Sequence, residues 1–360
     1  MPKKICLISL GNLYLTPYIN LYIDMINQEG YEYDIIYWDR HNTKEGTGAR
    51  KVYRYNFDML DESTKSQKLI GYYGFRRYVK SILNKEEYHG LVLLTTSVGM
   101  ILYDLIIKQF KGRFILDIRD YTLENNKIYY YFEEKLINES SATVISSEGF
   151  KNFLPLYNYI IVHNSKEITK SEKCIRSKHS RKVDTIKISF IGFVRFIEQD
   201  KKFISKLGND KRFSILYAGK GANRLKQYCE DNNFTNIELV DQFPSEKTLD
   251  FYEQTDLINN VYGNQNPLLD YALSNKLYYA ANLKIPILVS DKTYMEEVTK
   301  KYKFGFAIDD NSPNLGDLLF NWYQTIDWGV MDSGCETFIE DVDKDNENFR
   351  NEIIKVLRSW

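Results

Sequence analysis

The chain has 360 residues, 43% of them hydrophobic, with 29 tyrosines and 20 phenylalanines; this excludes a disordered protein and exceeds what one core usually fills, so two domains are expected. Lysine and arginine total 48 against 49 acidic residues, a formal net charge of −1, which argues against a nucleic-acid binder because no basic excess is available to release counterions from phosphates. The four cysteines, Cys6, Cys174, Cys229 and Cys335, have neither CxxC nor metal-ligand spacing and suit a reducing cytoplasm, and no apolar run reaches the roughly 18 residues that span a membrane.

The opening "MPKKICLISLG" is basic, but its apolar run is too short for a signal peptide and ends at a strand-to-loop glycine, so the protein is expected to be cytoplasmic. The first half then alternates short β-rich runs with helical stretches, the pattern of a parallel sheet covered by helices. Strands are predicted at 4–10, 33–38, 51–56, 91–96, 113–118, 142–146 and 159–163; they are continuous apolar runs, as strands buried on both faces are. The stretch "TPYINLYIDMINQEG" predicts a helix capped by Thr16, with Pro17 at its first position and Gly30 closing it. Residues 65–85, "KSQKLIGYYGFRRYVKSILNK", hold six positive and no negative side chains among Leu, Ile, Tyr and Phe. Such a helix suits contact with an anionic bilayer, and an ordinary solvated face is the equal alternative.

Residues 166–185 are polar and basic without apolar period and read as a linker after a first domain of 1–165. The pattern restarts, with strands predicted at 186–192, 212–219, 236–241, 256–262, 285–290 and 304–309 in a second domain of 186–340. Both halves are Rossmann-like α/β units. A helical stretch "LGDLLFNWYQTIDWG", an acidic loop "DSGCETFIEDVDKDNE" and a final amphipathic helix follow, with 341–360 expected to pack back on the first domain. No short-period repeat is present.

In doubly wound sheets ligands bind beyond the carboxyl ends of the strands, so the loops there are the candidates. In "SFIGFVRFIEQDKK" Gly192 ends a strand and Arg195 precedes a helix holding Lys201 and Lys202; a glycine lets backbone approach a phosphate and an arginine can take two of its oxygens, the alternative being a strand terminator with solvated charges. "YAGKGANRLKQY" places Gly219 and Gly221 before a helix, an abbreviated dinucleotide fingerprint; lacking the third glycine, and with only Asp241 at the next strand end, it reads better as a tight turn. In "SNKLYYAANLKIPILVS" Asn275 and Lys276 stand at a helix start, where free amides and the dipole favour a pyrophosphate; a lysine there is unfavourable unless something anionic sits opposite. The preceding "YGNQNPLLDYALS" is a candidate loop for a nucleoside or sugar. In the first half, Gly11 and Asn12 after the first strand, Thr95 to Ser97 after the fourth, and Arg119 with Asp120 after the fifth are expected to open on one cleft. Asp120 could orient or deprotonate an acceptor hydroxyl; capping the next helix or pairing with Arg119 is the alternative.

Taken together, Gly192 with Arg195, the "YAGKG" turn, "FPSEKTLDFYEQTDLINNVY", and above all "NKLYYAANLKIPILVS" followed by "KFGFAID" resemble the donor domain of GT-B glycosyltransferases, most similarly the bacterial capsule and exopolysaccharide enzymes of the retaining, family-four-like type. "DIRDYTLENNKIYYYFEEKLINESSATVISSEGFKNFL" resembles the family's acceptor domain. The resemblance implies two Rossmann-like domains facing across a cleft, a nucleoside-diphosphate sugar as co-substrate and no metal, with Arg195, Lys276 and Lys201 stabilising the departing diphosphate and Asp120 on the acceptor side. Gly192, Gly219 and Asn275 would bind the donor, and Gly11, Asn12, Ser97 and Arg119 a saccharide or lipid-linked acceptor, at the inner face of the membrane. The family's ribose-gripping glutamate is replaced by Tyr279, so Asp270 or Asn266 would take that part. An epimerase of the same fold and a non-catalytic nucleotide-sugar-binding subunit are the alternative readings.

His41, His89, His163 and His179 form no ligand spacing; His163, at a strand end, is read as structural with a place in the cleft as the alternative. Asp341-x-Asp343 is read as solvated surface of the acidic loop.

Overall fold

A computed structural model describes residues 2–43, 45, 48–59, 63–165, 168 and 183–360. Cys174, His179 and nearly all of the expected linker lie outside the described residues. Every predicted strand run forms a strand: β1 (Lys4–Ser9), β2 (Glu32–Asp39), β3 (Lys51–Asn56), β4 (Gly90–Leu94), β5 (Phe114–Ile118), β6 (Ala142–Ile145) and β7 (Ile160–Ile161), then β8 (Ile186–Ile191), β9 (Phe213–Ala218), β10 (Ile237–Val240), β11 (Leu257–Asn260), β12 (Ile287–Ser290) and β13 (Gly305–Ile308). They assemble into two sheets, ordered β3-β2-β1-β4-β5-β6-β7 and β10-β9-β8-β11-β12-β13, with parallel pairings throughout. In each sheet the strand order reverses once, between β1 and β4 and between β8 and β11. Loops beyond those strand ends are where an open parallel sheet leaves a crevice for a ligand.

The chain divides into two compact units, residues 1–164 with 344–360, and residues 165–343. The first core joins Ile5 and Leu7 of β1, Ile35 of β2, Val92 of β4 and Ile115 of β5 to Tyr22, Met25 and Ile26 of the helix Ile19–Gln28. The second has one cluster on each side of its sheet, with Ile188, Phe190 and Ile215 in one and Ile258, Leu277, Ile287 and Val289 in the other.

Two expectations need correction. Thr16 does not cap the first helix, which begins at Ile19 after a turn; its hydroxyl faces inward to Ser9 Oγ at 3.4 Å and the Asn12 carbonyl at 3.3 Å. The acidic stretch after Gly329 is not a loop but part of one 32-residue helix, Trp328–Ser359. Its acidic residues occupy the outward stripe while Met331, Cys335, Phe338 and Val342 pack in the second core, and Phe349, Ile353 and Leu357 in the first. The closing Trp360 donates to Ser141 Oγ at 3.0 Å. Asp341 therefore lies on a helix, accepting from the Tyr302 hydroxyl at 2.8 Å.

His163 resolves as structural: its ring nitrogen pairs with Asp345 at 3.0 Å and its backbone N–H donates to Asn346 at 2.8 Å, fastening the last helix to the first unit. Residues Lys65–Leu83 are helical, begun by a reciprocal cap between Thr64 and Gln67, and bury Gly71, Phe75, Val79 and Ile82 along one face. No helix among the described residues is long and apolar enough to cross a membrane.

Candidate functional site

At the strand-order reversal of the second unit, backbone geometry sets the floor of a site. Gly192 and Gly219, after β8 and β9, adopt φ of 136° and 139°, and a Cβ on Gly219 would sit 2.0 Å from the Gly192 carbonyl oxygen. Only glycine permits both the dihedral and the approach. Asp241 after β10 accepts from the N–H groups of Gly221 and Asn223 at 3.0 and 3.2 Å, so the one acidic residue of the fingerprint-like turn builds the turn.

Lys276 stands in the first turn of the helix Asn275–Leu283 and is 6% exposed. Its ammonium lies 3.8 Å from the centroid of the Phe190 ring and donates to the Tyr262 hydroxyl at 2.5 Å. That is its one hydrogen bond among the described residues, leaving two N–H donors, and a Cβ added at Gly192 would lie 3.7 Å from the same nitrogen. The expectation of bare amides at this helix start is not met. The Lys276 N–H is taken by the Ser274 hydroxyl and the Leu277 N–H by the Ser274 carbonyl, so positive charge here rests on the side chain.

Arg195 is exposed, and its guanidinium lies 4.8 Å from the Phe196 ring centroid. Phe196 packs edge-on against Tyr262 at 5.4 Å. The ring pair thus connects Arg195 to Lys276, and Gly192, Arg195 and Lys276 belong to one neighbourhood. Lys201 does not join it: its ammonium pairs with Glu198 at 2.9 Å and lies over Tyr228. Helical phase explains the difference, since Phe196, Gln199 and Lys202 share a face at spacing three, and it is Lys202 that lines the adjoining cavity.

That cavity, about 390 Å³, lies at the carboxyl ends of β11, β12 and β13. Its wall carries the amides of Gln199, Asn264, Gln265, Asn266 and Asn311 with Asp291, Asp309 and Asp310, against Lys202 and Lys292. Amides and carboxylates in this density suit hydroxyl groups. Gln199 donates to Asp310 and Asn264 to Asp291, at 2.8 and 2.7 Å, which fixes the wall. Asn266, one of the expected donor residues, lines the cavity and caps the turn Pro267–Asp270 by accepting from the Leu268 N–H. Asp270 is half-buried with one unpartnered oxygen, and burial raises its carboxyl above the usual range. Asn275 is exposed, and Tyr279 stacks on the buried Tyr252 at 4.7 Å.

In the first unit the expected acceptor residues separate into internal and accessible ones. Asn12 is fully buried and its amide is consumed: it donates to Asp39 at 2.8 Å and accepts from the Arg40 N–H at 3.0 Å, tying the loops after β1 and β2 together. Its side chain serves as a structural bridge. Arg119 is likewise internal, forked onto Asp117 at 2.5 and 2.8 Å with its face 4.2 Å from the Tyr18 ring, although its Nη1 has no partner. Arg119 thus turns to Asp117 rather than Asp120, which is exposed on the loop after β5. Gly11 has open space where a Cβ would be, so nothing there requires glycine.

Ser97 is half-buried in the first turn of the helix Thr96–Ile101. Thr95, just before it, has φ 103°, a strained value for a β-branched residue. Beside that turn lie two carboxyls that sequence reasoning passed over, Glu133 (0% exposed) and Glu124 (7%). Both Glu133 oxygens, Glu124 Oε1, Thr96 Oγ1 and the Tyr129 hydroxyl are buried without partners. Burial, then the Glu124 charge, pushes Glu133 up to about 8. Of the two lysines named on the helix after Arg195, only Lys201 was carried to the donor site, although the spacing from Phe196 favours Lys202; Tyr262 and Asp200 were passed over and had no such signal.

No protein-family model matches the sequence, and no curated protein matches it significantly. Solved structures do share the fold. A sucrose-phosphate synthase from Thermosynechococcus elongatus is similar over 99% of this chain and 98% of its own at 11% identity, with a TM-score of 0.74. A glycosyltransferase from Rickettsia africae covers 100% and 99% at 11% identity, TM-score 0.65. Anabaena HepE, solved with UDP, covers 99% and 100% at 10% identity, TM-score 0.65. The chain therefore has the two-domain α/β fold of these proteins along its whole length.

Proposed function

We propose that this protein is a glycosyltransferase that moves a sugar from a nucleoside-diphosphate donor to a saccharide or lipid-linked acceptor in the making of a surface polysaccharide, with retention at the anomeric carbon and without a metal. The observation that carries the reading is Lys276: a nearly buried ammonium with one hydrogen bond, against a glycine, at the strand-order reversal. Burying a cation is costly unless an anion completes it, and a departing diphosphate is such an anion. Arg195 supplies a second charge that can reach the same phosphates bidentately. The amide-rich cavity beside Tyr262 suits the hydroxyls of the transferred sugar. Full-length likeness to structures solved with UDP, and for Anabaena HepE with UDP-glucose, supports a nucleotide sugar as the donor.

The acceptor belongs to the first unit, around Ser97 and Asp120. Leu69, Ile70 and Tyr73 on the helix Lys65–Leu83 are 61–70% exposed beside Lys65, Arg77 and Lys80, a combination that supports contact with an anionic bilayer at the inner face of the membrane. Vesicles containing phosphatidylglycerol should sediment the protein and pure phosphatidylcholine should not. The non-catalytic alternative draws on Tyr279, whose ring is used against Tyr252 where the family's glutamate would grip ribose.

Thermal unfolding with a panel of nucleoside-diphosphate sugars tests the donor reading, because a ligand that binds only the native state raises the midpoint with its occupancy. One sugar nucleotide should stabilise the protein, Lys276→Ala should remove the shift, and EDTA should leave turnover intact. Stabilisation of Lys276→Ala equal to that of the parent would refute the site. Binding without transfer to any acceptor would favour the non-catalytic subunit, and an altered donor sugar formed without acceptor would favour an epimerase.

A further inference from the structure

Near Lys276 lies a second buried ionisable group that the transfer reaction does not use. Asp200, on the helix Ile197–Leu207, is 2% exposed, and its Oδ2 has no hydrogen-bond partner. The fully buried Tyr217 of β9 is its neighbour, and the Tyr217 hydroxyl receives the Asn259 amide at 3.4 Å. Tyr217 stacks on Phe190 at 5.5 Å, and Phe190 is the ring against which the Lys276 ammonium rests. Aromatic rings therefore lie between the carboxyl and the cation, a path of low dielectric along which charges act on one another more strongly than through water.

We propose that Asp200 is the buried counter-charge of Lys276 and takes up a proton when a diphosphate docks on that lysine, making donor affinity depend on pH through a residue that does not touch the donor. The inference rests on the donor site proposed above. Without a diphosphate the Lys276 charge favours ionised Asp200, whereas a bound diphosphate cancels that charge and brings negative charge of its own. The neutral carboxyl is then the lower-energy form.

The surroundings leave Asp200 little other company. Tyr217 and Lys276 act on it directly, and Tyr262 and Cys229 act on those two. On its own helix Glu198 and Lys201 pair with each other while Lys202 and Lys206 turn toward Asp310. From the helix Leu315–Gln324, Asp317 pairs with Arg212, and Tyr323 is the other titratable side chain. Burial raises the Asp200 carboxyl to about 7, opposed by the neighbouring Tyr217 and the Lys276 charge, so a change at Lys276 is read out near neutrality.

The test is calorimetric titration of the full chain with UDP-glucose, GDP-mannose and dTDP-glucose in turn; their diphosphates carry no group titrating near pH 7. Measuring at pH 7 in buffers of different ionisation enthalpy gives the protons exchanged. The parent should take up about half a proton per donor bound, and its affinity should fall by up to about tenfold per pH unit above 7. Asp200→Asn keeps a hydrogen-bonding neighbour for Tyr217 and should bind with no uptake and a flat profile. Binding by the parent without proton uptake overturns the proposal, and the parent measurement stands even if the variant fails to fold. Binding with uptake that Asp200→Asn leaves unchanged also overturns it. If none of the three binds, it is the donor site itself that falls.

Discussion

Replacing Glu133 by glutamine should make the first unit more stable at neutral and alkaline pH, an unusual outcome for a change to a fully buried side chain. The Glu133 carboxyl titrates near 8 in the folded protein against an ordinary 4.5, mainly through burial and secondly through Glu124. A raised carboxyl binds its proton in the folded state while the unfolded chain gives it up. The native state is therefore unpenalised below about 4.5 and loses stability steadily as pH rises toward 8. Each unit of displacement corresponds to about 1.4 kcal/mol, which makes the loss of order 3 kcal/mol at pH 7 and about 4 kcal/mol at pH 8. Glutamine has similar shape, offers an N–H where the protonated acid has its O–H, and cannot ionise. Thermal unfolding of parent and Glu133→Gln at pH 5, 6.5 and 8 checks this. The midpoints should lie close together at pH 5 and separate by several degrees at pH 8, since about 1 kcal/mol shifts the midpoint of a domain this size by roughly 2–4 °C. Curves that run parallel across that range, or a variant that is equally destabilised at every pH, would refute the reasoning.

Donor binding measured by calorimetry should weaken by about two orders of magnitude in Lys276→Ala and by roughly tenfold in the exposed Arg195→Ala, as expected for charge-assisted contacts of different burial. Lys202→Ala should weaken donor binding several-fold, whereas Lys201→Ala should leave it unchanged because that ammonium is paired with Glu198; the reverse order would displace the cavity from the site. Gly219→Ala should cost at least about 2 kcal/mol in chemical denaturation, from the left-handed dihedral together with the clash on Gly192. Asn12→Ala should lower the stability of the first unit by about 2 kcal/mol through the lost bond to Asp39 and the Arg40 N–H left without its Asn12 acceptor, and lose turnover only in proportion to unfolded protein.

Most strands were legible because parallel strands buried on both faces are written as continuous apolar runs, while the edge strands β3 and β10, exposed or half-buried, were found by their β-branched and aromatic residues. Helix ends were less so. Thr16 has the residue type of a cap, but its hydroxyl found Ser9 and the Asn12 carbonyl inside the fold, and no local pattern announces that competition. The acidic stretch before the last helix was misread for a related reason. Its charges suggest a loop, while the four apolar residues at Met331, Cys335, Phe338 and Val342 keep helical spacing and find a core only once the second unit is assembled.

At the sites, the chain itself set out the groups of the proposed diphosphate site: a glycine after β8, an arginine three residues on, and a lysine in the first turn of a helix are positions along the sequence, and strand topology brings Gly192 and Lys276 to one strand-order reversal. Only the tertiary structure decided how those groups are used. Tyr262 receives Lys276, Lys202 and not Lys201 reaches the cavity, Asn12 and Arg119 are spent on internal partners, and Asp200 and Glu133 lie where water cannot solvate them. Hydrogen-bond partners and desolvation depend on which distant segments arrive at the same place. Residue type and spacing encode the approach of a segment to the sheet end, but not what it meets there.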